Sequence, residues 1–164
     1  MKVRDVMTPD PVCCTPDDKA QKVARILKDQ DIGSVPVILD QASRKLVGMI
    51  TDRDLCCNIV AEGKDPASTK IDRIFTLNPV SCRDGENIAN CETMMQQHQV
   101  RRIPVVDSED RCIGIVSQAD VALKDKPEKV SQTVTEISKT VPGEIVPRAA
   151  RLIIVDFCCF SELL

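Results

Sequence analysis

The sequence predicts an α+β fold in which two β-α-β-β-α repeats pack sheet to sheet about a pseudo-twofold axis. The first observation is an internal repeat: Pro11-Val12 recurs at Pro79-Val80, and Pro36-Val37 recurs at Pro104-Val105 with the same spacing between the pairs. The second is length, because each copy is shorter than the ~70–80 residues that a single hydrophobic core usually needs. The two copies are therefore expected to form one structure.

A short motif that occurs once in each copy is the third observation. It is Gly48-Met49-Ile50-Thr51-Asp52-Arg53-Asp54 in the first copy and Gly114-Ile115-Val116-Ser117-Gln118-Ala119-Asp120 in the second. The second copy is two residues shorter between the proline and the motif. The difference falls in the polar stretches 40–45 and 107–111, whose turn-forming residues predict a hairpin loop.

The first copy is expected to contain a short strand near residues 12–14, a helix, a hairpin at 35–39 and 46–50, and a second helix from Asp52. Thr15 is the expected N-cap of the first helix, with Pro16 in its first turn. Apolar residues at helical spacing predict one face of this helix: Ala20, Val23, Ala24 and Leu27. The second helix is expected to run through four apolar positions: Leu55, Cys56, Ile59 and Val60.

The second copy repeats this order, with a lead-in at 71–75, a strand at 80–82, a hairpin at 103–106 and 112–116, and a last helix at 118–123. Its first helix is expected to bury Ile88, Cys91 and Met95. We place the domain boundaries at 1–65, 66–125 and 126–164.

The C-terminal region 126–164 is expected to hold one helix and a tail. Residues 127–139 predict an amphipathic helix with Val130, Val134 and Ile137 on one side, docked on the module or on a second subunit. The apolar stretch at 151–160 is expected to be a covered strand, an oligomer contact or a partner-binding tail.

Composition excludes several classes of partner. The 164-residue chain has a formal net charge of -3, no Trp, no Tyr and three Phe, which argues against a basic or base-stacking nucleic-acid surface. No apolar stretch approaches the ~20 residues of a membrane span, and the N-terminus has no export signal. We therefore expect a cytoplasmic protein with neither nucleic acid nor membrane as a partner.

Nine cysteines and a single histidine, His98, bear on metal and redox chemistry. The cysteine number is odd and no C-x-x-C pair occurs, so a disulfide framework is not expected. The pattern favours cysteine as a small buried hydrophobe in a reducing compartment, with no metal site assigned. A zinc site from His98 and remote cysteines, and redox sensing by an exposed thiol, are the alternatives.

The hydroxyl and the acid of the motif have two explanations. Thr51 and Ser117 end a strand and begin a helix, so they can act as N-caps, with Asp54 and Asp120 in the capping-box position. The same helix start also presents backbone N–H groups to a phosphate, and a carboxylate one turn in can accept ribose hydroxyls. The preceding glycine allows close approach of a ligand or of a neighbouring strand.

With a proline–valine strand before each motif, the chain resembles a tandem pair of CBS domains, or Bateman module, over Val3 to Leu123. The segment His98-Gln99-Val100-Arg101-Arg102-Ile103-Pro104-Val105 and the Gly48–Asp54 motif are similar to stand-alone two-CBS proteins of bacteria. Pairs of this family bind adenosine-containing ligands (AMP, ADP, ATP, NAD(H) or S-adenosylmethionine) and act as energy or metabolite sensors. They commonly associate into disc-like homodimers.

The resemblance implies that Asp54 and Asp120 hold ribose hydroxyls, with Thr51 and Ser117 at the ribose-phosphate end. It also implies an adenine pocket lined by the proline–valine strands and by residues near the strands that precede them: Pro36, Val37, Ile103, Pro104, Val105, Cys14 and Cys82.

A basic residue two positions before the proline is implied to contact phosphate. The second copy has Arg102 there, with Arg101 beside it, whereas the first copy has Ser34 and Gly33. Arg53 is the expected substitute in the first copy. The two clefts are therefore expected to differ in affinity or in ligand, unless the two arginines form only a solvated turn.

Together these observations predict a non-enzymatic regulatory module with an adenine nucleotide as regulatory ligand, no required cofactor, and a homodimeric state with an unknown protein partner. The sequence has no nucleophile elbow, no H-E-x-x-H and no P-loop. The alternative is a ligand-free CBS dimerisation or interaction module, because capping and packing alone can account for the motifs.

Overall fold

The computed structural model describes residues 1–124 and 127–139. A 3₁₀ turn at Val3–Asp5 and strand β1 at Thr8–Pro9 lead into the first repeat. This repeat contains helix α1 (Ala20–Asp29), strands β2 (Ser34–Ile38) and β3 (Leu46–Thr51), and helix α2 (Asp52–Leu55), which continues as a π-helical turn at Cys56–Val60.

The second repeat has the same order of elements with one strand more, because the strand predicted near residues 12–14 of the first repeat is only a single bridge from Cys14 to Val37. They are β4 (Thr76–Leu77), β5 (Cys82–Arg83), α3 (Ile88–His98), β6 (Arg102–Val106), β7 (Cys112–Ser117) and α4 (Gln118–Lys124). Helix α5 (Pro127–Ser138) follows. The antiparallel pairs β2–β3 and β6–β7 confirm both predicted hairpins.

The strands form two sheets, one with the order β1-β7-β6-β5 and the other with the order β2-β3-β4. Each sheet combines the hairpin of one repeat with the strand that leads into the other repeat. Strand β1 leads into the first repeat but pairs with β7 of the second, and β4 leads into the second repeat but pairs with β3 of the first. This reciprocal exchange joins the two repeats into one structure.

The hydrophobic cores show the same exchange. The core of the first repeat contains Val23 and Ile50, together with Ile71 from the segment that leads into the second repeat. The core of the second repeat contains Met95, together with Val3 from the N-terminus. Ile71 thus lies beyond residue 65, the boundary that we assign between the repeats, and still packs in the first core.

The two hairpin loops meet at one end of the molecule. The N–H of Leu46 donates to the carbonyl of Asp110 at 3.0 Å, and the N–H of Cys112 donates to the carbonyl of Arg44 at 2.9 Å. A small third cluster, which we call the loop seam, lies there and consists of Cys13, Ile38, Leu46 and Cys112.

Helix α1 begins later than the sequence predicts. Its N-cap is Lys19, whereas Thr15 lies in a separate turn in which its N–H donates to Oδ2 of Asp18 at 2.9 Å. The prediction of Thr15 as N-cap is wrong because Asp18 closes this turn before the helix starts. Ala24 is exposed, also against prediction, while the rest of the expected face is buried: Ala20, Val23 and Leu27.

The helix after the first motif changes from α to π geometry at Cys56, and its four expected apolar positions differ in burial. Leu55 and Ile59 are buried, whereas Cys56 and Val60 are exposed. Cysteine as a buried hydrophobe is confirmed for Cys13, Cys14, Cys82, Cys91 and Cys112, and it is wrong for Cys56 and Cys57.

Helix α5 docks on the second repeat. Thr133 and Ile137 are buried, and Nε2 of Gln96 in α3 donates to Oγ1 of Thr133 at 2.9 Å. Val134 is exposed, so the predicted apolar face is wrong at that position. The side chain of Val130 and the predicted tail lie outside the described residues.

Candidate functional site

The two hydroxyl–acid pairs form the same hydrogen-bond pattern. The N–H and the hydroxyl of Thr51 donate to Oδ2 of Asp54 at 2.8 and 2.7 Å, and the N–H of Asp54 donates to Oγ1 of Thr51 at 3.1 Å. Ser117 and Asp120 repeat this pattern at 2.8, 2.6 and 3.2 Å. The capping-box explanation is therefore confirmed in both copies.

One carboxylate oxygen of each pair is left for another partner. Oδ2 takes both local bonds, whereas Oδ1 of Asp54 and Oδ1 of Asp120 accept no hydrogen bond from the backbone or from any side chain that the structure describes. Both side chains are partly exposed. An ionised carboxylate oxygen is a strong acceptor. Capping and ligand binding are therefore compatible at the same side chain.

The backbone N–H groups at the start of α2 are already occupied. The N–H of Asp52 donates to the carbonyl of Gly33 at 3.3 Å, that of Arg53 to Oδ1 of Asp52 at 2.7 Å, and that of Asp54 to Oγ1 of Thr51. The expectation that this helix start offers free N–H groups to a phosphate is wrong in the first copy, because local acceptors take them.

The side chain of Arg102 reaches from the second repeat to the first. Arg102 pairs with Ser117 in the β6–β7 register, yet a Cβ added at Gly33 would lie 3.2 Å from its Nη1 and 3.3 Å from its Nη2. The carbonyl of Gly33 accepts the first N–H of α2. The positive charge that the first copy lacks in sequence is thus supplied beside its motif by the second copy.

Ser34 adds an unpaired hydroxyl at the same place. It follows Gly33 and pairs with Thr51 in the β2–β3 register. The residue is 4% exposed, and its Oγ has no hydrogen-bond partner among the residues that the structure describes. A buried hydroxyl without a partner costs about 1–3 kcal/mol. We did not select Ser34 from sequence, where its only signal is that it stands at the position of Arg102.

Three arginines keep their charge available to an anion. The side chains of Arg53, Arg101 and Arg102 are exposed, and none makes an ion pair or a hydrogen bond with the described part of the chain. Surface arginines with no acidic partner can bind an anion without first breaking an ion pair.

The strand residues expected around adenine lie on two different faces. Five of these side chains are packed in the two cores: Val37, Ile103, Val105, Cys14 and Cys82. Pro36 and Pro104 lie on the opposite face of their strands, because successive side chains alternate. The valine side chains therefore cannot line a cleft, and both prolines are buried as well.

The glycine that opens each motif accommodates a neighbouring strand. A Cβ added at Gly48 would overlap the ring of Phe75 and lie 2.8 Å from the carbonyl oxygen of Thr76. A Cβ added at Gly114 would lie 2.5 Å from Sδ of Met7. These neighbours belong to the exchanged lead-in segments, so close approach of a strand accounts for both glycines.

Two surface cavities lie away from the motifs. One of about 380 Å³ is on the outer side of α1 and is lined by residues that include Lys22 and Arg25. The other, of about 280 Å³, lies at the hairpin-loop end and is lined by residues that include Leu46 and Ser81. Neither is lined by a hydroxyl–acid pair.

Within residues 1–124 and 127–139, among the side chains that the structure describes there, no three His, Cys, Asp or Glu side chains are placed to hold a metal ion. His98 is exposed at the end of α3. In the same ranges, no helix is long and apolar enough to cross a membrane.

Two repeats with exchanged lead-in strands, each with a capping box at the end of its hairpin, define a tandem CBS pair. The model of the CBS domain family matches residues 3–60 and 71–125. The chain belongs to this family, whose pairs are generally regulatory and non-catalytic.

Several relatives match most of the chain. Uncharacterized protein YlbB of Bacillus subtilis is 35% identical over 139 residues, which are 84% of this chain and 92% of YlbB. Hypoxic response protein 1 of Mycobacterium tuberculosis is 33% identical over 119 residues, or 73% and 81% of the two chains.

Solved structures agree with this assignment. The crystal structure of Hypoxic Response Protein I with two coordinated zinc ions has a TM-score of 0.69 at 29% identity, covering 77% of this chain and 100% of that one. The CBS domain pair of protein MJ0100 in complex with 5′-methylthioadenosine and S-adenosyl-L-methionine has a TM-score of 0.67 at 27% identity, covering 75% and 98%.

Proposed function

We propose that this protein is a regulatory module that binds an adenosine-containing nucleotide in the cleft between its two CBS repeats and transmits its occupancy to a partner. The observation that carries the proposal is that the guanidinium of Arg102 from one repeat lies against Gly33 of the other, next to the unpaired Ser34 and to the strand end that carries the Thr51–Asp54 pair. The ligand class is supported by the related MJ0100 pair, whose two ligands both contain adenosine.

Each of these three groups has a distinct role in the proposal. Oδ1 of Asp54 accepts hydrogen bonds from the ribose hydroxyls while Oδ2 keeps the cap. The hydroxyl of Ser34 gains the partner that it lacks, and the guanidinium of Arg102 binds an anionic group. Because the groups come from two repeats, the ligand couples the packing of one repeat to the other, which a partner can sense.

The two clefts are unequal in this proposal. The first motif has the long side chain of Arg102 beside it, whereas the residue of the first copy that corresponds to Arg102 is Ser34, which is short and neutral. We therefore assign the tighter site for a phosphate-bearing ligand to the cleft of Asp54 and the weaker site to that of Asp120. Arg53 and Arg101 are proposed as secondary contacts.

The substitution Asp54→Asn tests ligand binding separately from helix capping. The asparagine carbonyl can still accept from Thr51, but an NH₂ donor replaces the free oxygen. The melting temperature without ligand should stay close to that of the parent, whereas the affinity should fall about 10- to 100-fold, as expected when a charged hydrogen bond is lost. Isothermal titration calorimetry with AMP, ADP, ATP, NADH and S-adenosylmethionine measures this loss.

Matched variants test the rest of the assignment. Arg102→Gln should weaken phosphate-bearing ligands more than Asp120→Asn does, and Arg25→Gln, in the cavity beside α1, should change nothing. If Arg25→Gln abolishes binding and Asp54→Asn does not, the ligand site lies at α1 and the cleft assignment is refuted.

The competing function is an interaction module without a ligand, favoured by capping boxes that are complete without one. It predicts that none of the five ligands changes the melting temperature. The homodimer, the protein partner and the cytoplasmic location remain predictions. Light scattering of the purified chain would measure its oligomeric state.

A further inference from the structure

Two thiols from different repeats meet in the loop seam. The side chains of Cys13 and Cys112 pack together with Ile38. The thiol of Cys13 donates to the carbonyl of Pro11 at 3.3 Å, and that of Cys112 donates to the carbonyl of Gly114 at 3.8 Å. Cys13 keeps 9% of its surface exposed, whereas Cys112 is completely buried. A small molecule from solvent can therefore reach Cys13 but not Cys112.

Arg44 places a positive charge beside the sulfur of Cys13. Its Nη2 lies 3.7 Å from Sγ of Cys13 and 3.1 Å from a carboxylate oxygen of Asp10, and its Nε donates to the carbonyl of Cys112 at 3.2 Å. The neighbouring thiol of Cys112 and the charge of Arg44 lower the pKa of the Cys13 thiol despite its burial. Cys13 thus has a larger thiolate fraction than an ordinary buried cysteine.

The other buried cysteines lack this environment. Cys82 and Cys91 also pack together. The pKa values of Cys91 and Cys112 are both raised by the neighbouring thiol and by burial, but the charged neighbours of Cys91 are acidic whereas Cys112 has Arg44 beside it. Burial raises the pKa of Cys14 to about 12. A contact between two thiols therefore does not by itself produce a reactive pair in this chain.

The internal repeat does not account for the meeting of Cys13 and Cys112, because the corresponding positions do not hold cysteines. When the two copies are aligned on their proline–valine pairs and motifs, Cys13 corresponds to Ser81, and Cys112 corresponds to Leu46. Ser81 and Leu46 line the open cavity of about 280 Å³ at the hairpin-loop end. Ser81 and Leu46 thus border a cavity, whereas the corresponding residues Cys13 and Cys112 pack together beside the guanidinium of Arg44.

We propose that Cys13 and Cys112 are a modification site at which hydrogen peroxide forms a disulfide between the two repeats. The Cys13 thiolate attacks one peroxide oxygen, so that an S–O bond forms, the O–O bond breaks and hydroxide leaves. The sulfur of Cys112 then displaces the hydroxyl group from the Cys13 sulfenic acid, and the S–S bond forms as water leaves with the Cys112 proton. The two sulfurs lose two electrons, and the peroxide is reduced to two waters.

The test uses the full chain with Cys56, Cys57, Cys158 and Cys159 changed to serine, which removes the exposed thiols and those of the C-terminal tail. Trypsin places Cys13 in peptide 5–19 and Cys112 in peptide 112–124. After peroxide treatment, mass spectrometry should show these two peptides linked, and a reductant should separate them. The link should persist in Cys14→Ala and be lost in Cys13→Ala and Cys112→Ala.

The pair Cys82–Cys91 is the internal control, because its peptides, 74–83 and 84–101, are distinct. It should stay unlinked under the conditions that fully link Cys13 to Cys112. Circular dichroism verifies that each variant is folded. Absence of the 5–19/112–124 link in the folded parent, its survival in Cys13→Ala, or equal linking of Cys82 to Cys91 would each overturn the proposal.

Discussion

Replacing Gly48 with alanine tests how the exchanged lead-in strand fits the motif. The added Cβ would overlap the ring of Phe75 and lie 2.8 Å from the carbonyl oxygen of Thr76, which belongs to the backbone of β4. A backbone atom cannot move aside by a rotamer change, so β4 must shift away from β3. Overpacking of this kind costs about 1–3 kcal/mol.

The opposing effect is smaller. Alanine in place of glycine stabilises by about 0.4–1 kcal/mol through the unfolded chain. We therefore expect Gly48→Ala to lower the free energy of unfolding by about 1–2 kcal/mol. For a chain of this size the melting temperature should fall by roughly 2–8 °C. Urea unfolding followed by circular dichroism measures the change.

Two further glycines make the comparison specific. Gly114→Ala should be milder, because its nearest neighbour is the flexible side chain of Met7, with the backbone oxygen of Thr8 at 3.3 Å. Gly85→Ala should change stability by less than about 0.5 kcal/mol, because only a side-chain nitrogen of Arg4 lies near, at 3.4 Å. If Gly48→Ala is as stable as Gly85→Ala, the close strand contact does not limit this position and our reasoning is refuted.

Two other predictions concern the whole fold. Ile71→Ala should lower the free energy of unfolding by about 2–5 kcal/mol, because this fully buried side chain fills the first core. Ile32→Ala, at a position that is 37% exposed, is the control, and equal urea midpoints for the two variants would contradict the exchange. Hydrogen bonds from Lys70 and Arg111 hold the pKa values of Asp17 and Asp107 below 3.8, so their stabilisation is present above that pH and is lost as the pH falls through the lowered values. The melting temperature should therefore fall in acid, and less steeply in the double variant Asp17→Asn/Asp107→Asn.

The repeat made most of the local structure predictable. Each hairpin has its signals within one short stretch of sequence, and the capping boxes follow from Thr51 with Asp54 and Ser117 with Asp120 at a fixed spacing. The start of α1 was not predictable in this way. The run from Thr15 to Asp18 has the composition of a helix start, but Asp18 bonds to Thr15 and closes a turn. Composition does not distinguish these two outcomes.

The candidate site was only half predictable. Asp54 and Arg102 could be selected because each matches a motif, yet sequence assigned them to different clefts. In the structure, the guanidinium of Arg102 lies against Gly33, beside the first motif. The role of Ser34 depends on burial without a partner, which is a property of its surroundings and has no sequence signal.

The sequence by itself determined the number of repeats, the family, the order of elements and the residue types that cap each second helix. These features depend on spacings of a few residues or on comparison of one copy with the other. The tertiary structure alone decided which lead-in pairs with which sheet, which motif receives the charge of Arg102, and which thiols meet in the loop seam. Cys13 and Cys112 lie near opposite ends of the tandem pair in sequence. Contacts over such separations depend on how whole elements pack, and local propensity carries no information about them.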